Sequence, residues 1–189
     1  MTRCAWCGED PLYVSYHDNE WGVPVKDDAR MFEFLILETF QAGLSWITVL
    51  RKRENFRKAF DDFDYQKIAR YGEDKIEALL QDPGIIRNRL KVRATVSNAQ
   101  AYIKVQEEFG SFCNYIWGFV DHQPIINKFE TMADIPANTP LSDLISKDLK
   151  KRGFKFVGTT VVYAHMQATG MVNDHVIGCY RHSEVQKLA

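Results

Sequence analysis

The chain has 189 residues, of which 46% are hydrophobic and 26% charged, with 6 prolines, 4 cysteines and a formal net charge of −1. A chain of this length buries roughly 70% of its unfolded surface, so a real core is available, and the composition excludes disordered, collagenous and disulfide-stapled classes. Met1-Thr-Arg-Cys-Ala-Trp6 lacks a basic-then-apolar leader, and no apolar run approaches the roughly 18 residues of a membrane span. The expectation is a cytoplasmic protein, with no membrane partner and with reduced cysteines.

In chain order, residues 28–42 carry Met31, Phe34, Leu35, Glu38 and Ala42 at helical spacing, and Gly43 is a natural stop. Ser45 caps a second predicted helix through Trp46, Val49 and Leu50 into the basic run 51–58. Further helices are predicted at 64–71, 73–81, 86–109 and 111–118, punctuated by Pro83-Gly84 and Gly110. Residues 120–139 read as the longest irregular stretch. Pro140 suits a first helical position, with Leu141, Leu144, Ile145 and Leu149 on one face and Arg152-Gly153 as the end. A last long helix runs from Gly158 to Gly170 and a short one from Asp174 to Cys179. The best alternating segments, 23–27 and 155–162, are too few to build a sheet, so the fold class is all-α.

Charge is neutral overall but uneven. Basic clusters occupy 51–58, 87–93 and 147–155, while acids gather at 61–64, 73–82 and 107–108. The basic clusters read either as one phosphate-facing side or as solvated helix faces.

Three constellations carry possible chemistry. Cys4-x-x-Cys7, with His17, His175 and Cys179, has soft-ligand spacing, the last two at i and i+4 on the predicted short helix. Spacing alone leaves a structural metal and ordinary buried thiols both open; it lacks the H-x-E with P-C-x-x-C of zinc deaminases and the H-E-x-x-H of metalloproteases. Glu38 is an acid in an apolar stretch, and Glu33, five positions back, points elsewhere around the helix. A buried carboxylate must be paired or be part of a site. Trp6, Tyr13, Tyr16, Trp21 and Trp46 lie near it in sequence and suit a stacking pocket for a flat or cationic ligand. Finally, Lys150-Lys-Arg-Gly-Phe-Lys-Phe-Val-Gly158 joins two predicted helices through a tight turn, leaving a helix N-terminus beside lysines, an arrangement that suits phosphate.

The strings Arg3-Cys4-x-Trp6, Tyr16-His-Asp-Asn-Glu-Trp-Gly-Val-Pro24, Gln41-Ala-Gly-Leu-Ser-Trp-Ile-Thr-Val-Leu50, Gly84-Ile-Ile-Arg-Asn88, 150–158 and Val172-Asn-Asp-His175 closely resemble the bacterial 3-methyladenine DNA glycosylase I family, from residue 3 to about residue 180. The resemblance implies a single domain over 1–189 with the two-lobed fold of the helix-hairpin-helix DNA glycosylase superfamily, a lesion pocket between the lobes, and 150–158 as the DNA-anchoring hairpin. It implies a structural zinc on Cys4, His17, His175 and Cys179, with Cys7 outside the set. It implies that Glu38 accepts hydrogen bonds from the lesion base, that Tyr16 and Trp46 stack on it, and that Trp6, Tyr13 and Trp21 wall the pocket. The superfamily's V-D-x-H appears here as Val172-Asn173-Asp174-His175, with Asn at the usual catalytic Asp, and the hairpin lacks the nucleophilic Lys, so no lyase activity is expected.

N3-methylation leaves adenine cationic and already a good leaving group, so recognition can do much of the work. Aromatic faces attract the cation by roughly 0.5–2 kcal/mol per contact, and a carboxylate adds charge-assisted hydrogen bonds. The nucleotide must be flipped, with Gly43-Leu44 as the wedge on position alone and Lys151, Arg152 and Lys155, with 87–93, holding phosphates. The expected partners are duplex DNA carrying alkylated bases and free 3-methyladenine as product, with the protein a monomer. Two competing readings are a zinc-stabilised DNA-binding module without catalysis and a small-molecule hydrolase using Glu38.

Overall fold

The computed structural model describes all residues, 1–189, and the chain is helical with one vestigial sheet. Helix α1 (Pro11–Asn19) starts at Asp10, whose carboxylate accepts the amides of Leu12 and Tyr13, with proline at the first position where no amide is needed. Helix α2 (Asp28–Gln41) is capped by Asp27 and is buried along most of its length, including Met31, Phe32 and Phe34–Phe40. A helix apolar on nearly every side belongs in the middle of a fold, and α2 packs against α3 (Trp46–Ala59), α6 (Arg89–Phe109), α7 (Phe112–Gly118) and α9 (Thr159–Ala168). Each fully buried Phe or Leu of α2 contributes about 1.5–3 kcal/mol.

Two polar contacts lock α2 at its ends. Asp28 accepts the backbone amides of Phe112 and Cys113, capping α7 from outside its own sequence. Lys91 is buried, and its Nζ donates to the carbonyls of Phe40 (3.1 Å) and Ala42 (3.0 Å), completing the C-terminal acceptors of α2. Within the predicted phosphate cluster 87–93, then, Lys91 faces the core, and Arg89 and Arg93 pair with Glu77 and Glu73.

Helices α4 (Tyr65–Ile68) and α5 (Glu73–Gln81) pack on α6, and α8 (Pro140–Lys151) pairs with α9 through the turn at 152–158. Thr139 caps α8 reciprocally with Ser142. The apolar face of α8 is Ile145 and Leu149, with Leu141 partly buried; Leu144, expected on that face, is exposed, because its position lies about 100° from Ile145 on the helix. At the turn, Gly153 has φ +97°, a conformation that favours glycine. The buried Asn98 of α6 clasps the turn by donating to the Lys155 carbonyl and accepting the Lys155 amide.

The irregular stretch after α7 holds one short strand, β1 (Ile125–Ile126), which pairs in parallel with β2 (Val172–Asn173). Neither alternating segment singled out in the sequence forms a strand. The predicted helix at 174–179 is absent: these residues form bends and turns, and α10 (Tyr180–Val185) begins one residue after Cys179. The side chain of Asp174 is consumed by tertiary hydrogen bonds, and Gly178 disfavours helix continuation. No helix is long and apolar enough to cross a membrane.

Candidate active site

Glu38 lies in the last turns of α2 and points into a cavity of about 190 Å³ lined by Trp6, Tyr13, Tyr16, Trp21 and Trp46. The sequence placed these aromatics near Glu38 only along the chain; the fold brings all five around it. α1 supplies Tyr13 and Tyr16, the N-terminal segment supplies Trp6, and α3 starts with Trp46. The rings brace one another, with centroids 4.8 Å apart for Trp6–Tyr13, 5.1 Å for Trp6–Trp21 and 5.6 Å for Tyr16–Trp46.

Glu38 is 3% exposed and its Oε2 has no hydrogen-bond partner; the indole nitrogens of Trp6 and Trp46 are likewise buried without acceptors. Three unpaired polar atoms in one apolar cavity are expensive unless a ligand completes them. Burial pushes the Glu38 carboxyl up to about 8, and the Tyr16 hydroxyl is also raised, by burial and then by the nearby Glu38. Glu33, on another side of α2, is paired with Arg53 and Arg57.

Five lining residues were not foreseen: Gln41, Met132, Ile135, Ala164 and Gln167. Met132 and Ile135 come from the irregular stretch, where Thr131 and Asp134 cap a short 3-10 turn, and the last two come from α9. Only Gln41 lay in a motif string. A second cavity of about 380 Å³ adjoins the first, sharing Gln41, Ala164 and Gln167, and reaches Gly43, Leu44 and Thr160. Leu44 is 40% exposed on a turn where Gly43 has φ +82°. Lys151 and Lys155 are exposed at the α8–α9 turn. Arg152 is engaged within the protein: its guanidinium bonds to Glu108 and Asp148 and lies against Phe109 and Tyr115.

Behind the aromatic wall lies a second cluster. Cys4, His17, His175 and Cys179 are buried, and their ligand atoms lie within 4.8 Å of one another. Cys179 Sγ is 3.4 Å from His17 Nε2 and 3.6 Å from His175 Nδ1, and Cys4 Sγ is 3.6 Å from His175 Nδ1. The outward nitrogens are held too, His17 Nδ1 by Asp18 at 2.8 Å and His175 Nε2 by the Trp21 carbonyl at 3.0 Å. Two thiols, two imidazoles and outer partners that fix the ring orientations match the donor set of a structural zinc site. Cys7 points away, toward the Cys4 carbonyl. The convergence of His175 and Cys179 is made by a turn rather than by one face of a helix.

Residues 6–182 match the family described as methyladenine glycosylase. The chain is 54% identical over 179 residues to DNA-3-methyladenine glycosylase 1 of Escherichia coli (strain K12), covering 95% of this chain and 96% of that protein. It is 48% identical to the DNA-3-methyladenine glycosylase of Haemophilus influenzae, covering 94% and 96%. Among solved structures, 3-methyladenine DNA glycosylase I from Staphylococcus aureus, studied for its recognition of 3-methyladenine, superposes with a TM-score of 0.92 at 37% identity, covering 95% and 96%.

Proposed function

The chain belongs to the methyladenine glycosylase family, and from that premise we propose how its pocket works: it removes 3-methyladenine from alkylated DNA by hydrolysing the bond between base and sugar. The observation that carries this reading is the buried, unpartnered Glu38 inside an aromatic box. A neutral base gains stacking there. A methylated, cationic base gains in addition the ionised Glu38, a charge-assisted partner worth about 1.5–3 kcal/mol, and attraction to the faces of Tyr16 and Trp46. Trp6, Tyr13 and Trp21 complete the wall.

Duplex DNA shields the bond, so the nucleotide is flipped at a cost of a few kcal/mol. Leu44, at the mouth of the adjoining cavity, is the wedge that fills the gap, on a turn that Gly43 permits and Lys91 anchors. Lys151 and Lys155 hold phosphates from the hairpin end of the two-lobed helix-hairpin-helix fold, over a single domain. Arg152 braces that hairpin through Glu108 and Asp148 instead of contacting DNA. Cys4, His17, His175 and Cys179 hold one structural zinc, which would supply a fixed tetrahedral junction between the two ends of the chain. The protein acts as a cytoplasmic monomer and, with no lysine nucleophile, leaves the strand intact.

Chromatography of bases released from methylated duplex DNA tests the reading. Free 3-methyladenine with an uncut strand is the expected result; no released base, with duplex binding retained, would reduce the protein to a DNA-binding module.

A further inference from the structure

Asp174 is fully buried and has no cationic partner. It accepts three hydrogen bonds from neutral donors: Asn127 Nδ2 at 2.7 Å on one oxygen, and Tyr163 hydroxyl at 2.6 Å and Gln167 Nε2 at 2.9 Å on the other. Tyr163 and Gln167 are four residues apart on α9, so one carboxylate oxygen gathers two donors from a single helix face. A carboxylate buried at this cost without a counter-charge holds something in place.

What it holds is the orientation of Gln167. The primary amide is planar, with a donor end and an acceptor end. With Nε2 committed to Asp174, the Oε1 acceptor is turned elsewhere, and it accepts no hydrogen bond from any protein group. Gln167 borders both the aromatic cavity and the adjoining one, whereas Glu38 borders only the first and lies deep in it. The two cavities meet at Gln41, Ala164 and Gln167, which is the open side on which the sugar of a base seated against Glu38 would lie.

We infer that Gln167, oriented by Asp174, is a positioning residue for the water that attacks the sugar carbon, an inference that rests on the glycosylase reading above. The bond from C1′ to the base nitrogen breaks with its electron pair going to the base. The base, cationic in the nucleoside, leaves as neutral 3-methyladenine. The water oxygen bonds to C1′, and the water's extra proton passes to solvent in the open cleft. The amide carbonyl accepts a hydrogen bond from that water and takes no proton.

The test is Gln167→Met, which keeps the length and helix propensity of the side chain and removes the acceptor. Single-turnover excision from a duplex carrying 3-methyladenine should fall about 10- to 100-fold, while affinity for free 3-methyladenine and metal content stay near those of the parent and the melting temperature falls by a few degrees, because the buried Asp174 loses one of its three donors. A variant that excises within about twofold of the parent overturns the inference. So does a loss of free-base affinity in step with the rate, which would make Gln167 a base contact. If the parent protein itself releases no base, the glycosylase reading fails instead.

Discussion

Two polar clusters sit on opposite sides of one aromatic wall, and adjacent residues of α1 serve them: Tyr16 faces the cavity and His17 faces the cysteines. In the Cys4/His17/His175/Cys179 cluster the side chains converge on one another and the outward ring nitrogens are held. In the cavity, Glu38, Trp6 and Trp46 keep polar atoms unpaired. Trp6 touches both sides, with its ring 5.4 Å from His17 and 4.8 Å from Tyr13, and Trp21 lies 4.6 Å from His175. A closed cluster fixes shape and an open one is reserved for a ligand. The molecule builds the second on the first.

Breaking the closed cluster should have the largest effect. Cys4→Ala is expected to abolish metal binding at the cluster and to lower the melting temperature by on the order of 10 °C, equivalent to several kcal/mol, with base binding weakened because Trp6 and Trp21, which pack on His17 and His175, lose their backing. Metal analysis and a thermal melt check this. A variant that keeps its metal and its melting temperature would show that the two clusters are not coupled.

The open cluster should respond in the opposite way. Glu38→Gln should lose about 1.5–3 kcal/mol of base recognition, yet its fold should not suffer. With the carboxyl raised from 4.5 to about 8 in the folded protein, the folded state binds the proton more tightly. The wild type therefore loses stability as pH rises from about 4.5 to about 8, by at most about 1.4 kcal/mol per pH unit. The glutamine variant lacks this loss and should melt higher than the parent at pH 8.5. A variant that melts lower at every pH would identify Glu38 as a structural acid.

The same protonation sharpens the reading of function. Meeting a fixed cation requires Glu38 ionised, so kcat/KM on methylated DNA should rise up to tenfold per pH unit below about 8 and level off above it. Glu38→Gln should flatten that limb. A wild-type profile flat from pH 6 to 8 would remove Glu38 from cation recognition.

Smaller effects belong to the periphery. Lys151→Gln or Lys155→Gln should make the logarithmic salt dependence of DNA binding shallower by about one unit. Arg152→Gln should leave that slope unchanged and lower the melting temperature. Cys7→Ala should keep full metal content and cost about 1 kcal/mol or less.

Local patterns were legible from the sequence wherever periodicity and caps agreed. α2 lies within a residue of its predicted bounds, α5 matches them, and Pro140 and Gly153 mark α8 as read. Glu38 was conspicuous because its neighbours are apolar, and the four converging ligands came from the family likeness rather than from spacing. Less legible was anything decided by distant partners. Lys91 reads as surface charge until the carbonyls of Phe40 and Ala42 are seen beneath it. Arg152 reads as a phosphate ligand until Glu108, 44 positions away, is seen to hold it. Met132, Ile135 and Gln167 reach the cavity from segments about 90 or more residues beyond Glu38, and no local pattern marks them.

The junction of Cys4 and His17 with His175 and Cys179 also ties an early part of the chain to a late one. During synthesis Glu38 and all five aromatic residues emerge in the first quarter of the chain, but the last two ligands emerge near its end. Until then α1 is held by its packing on α3 and the Asp10–Arg51 pair, and the aromatic box lacks the cluster behind it. A chain cut short after Asp174 carries every residue of that box and lacks the clasp that shapes it. A chain truncated before Cys179 should therefore keep every aromatic of the box and still bind free 3-methyladenine more weakly than the full chain.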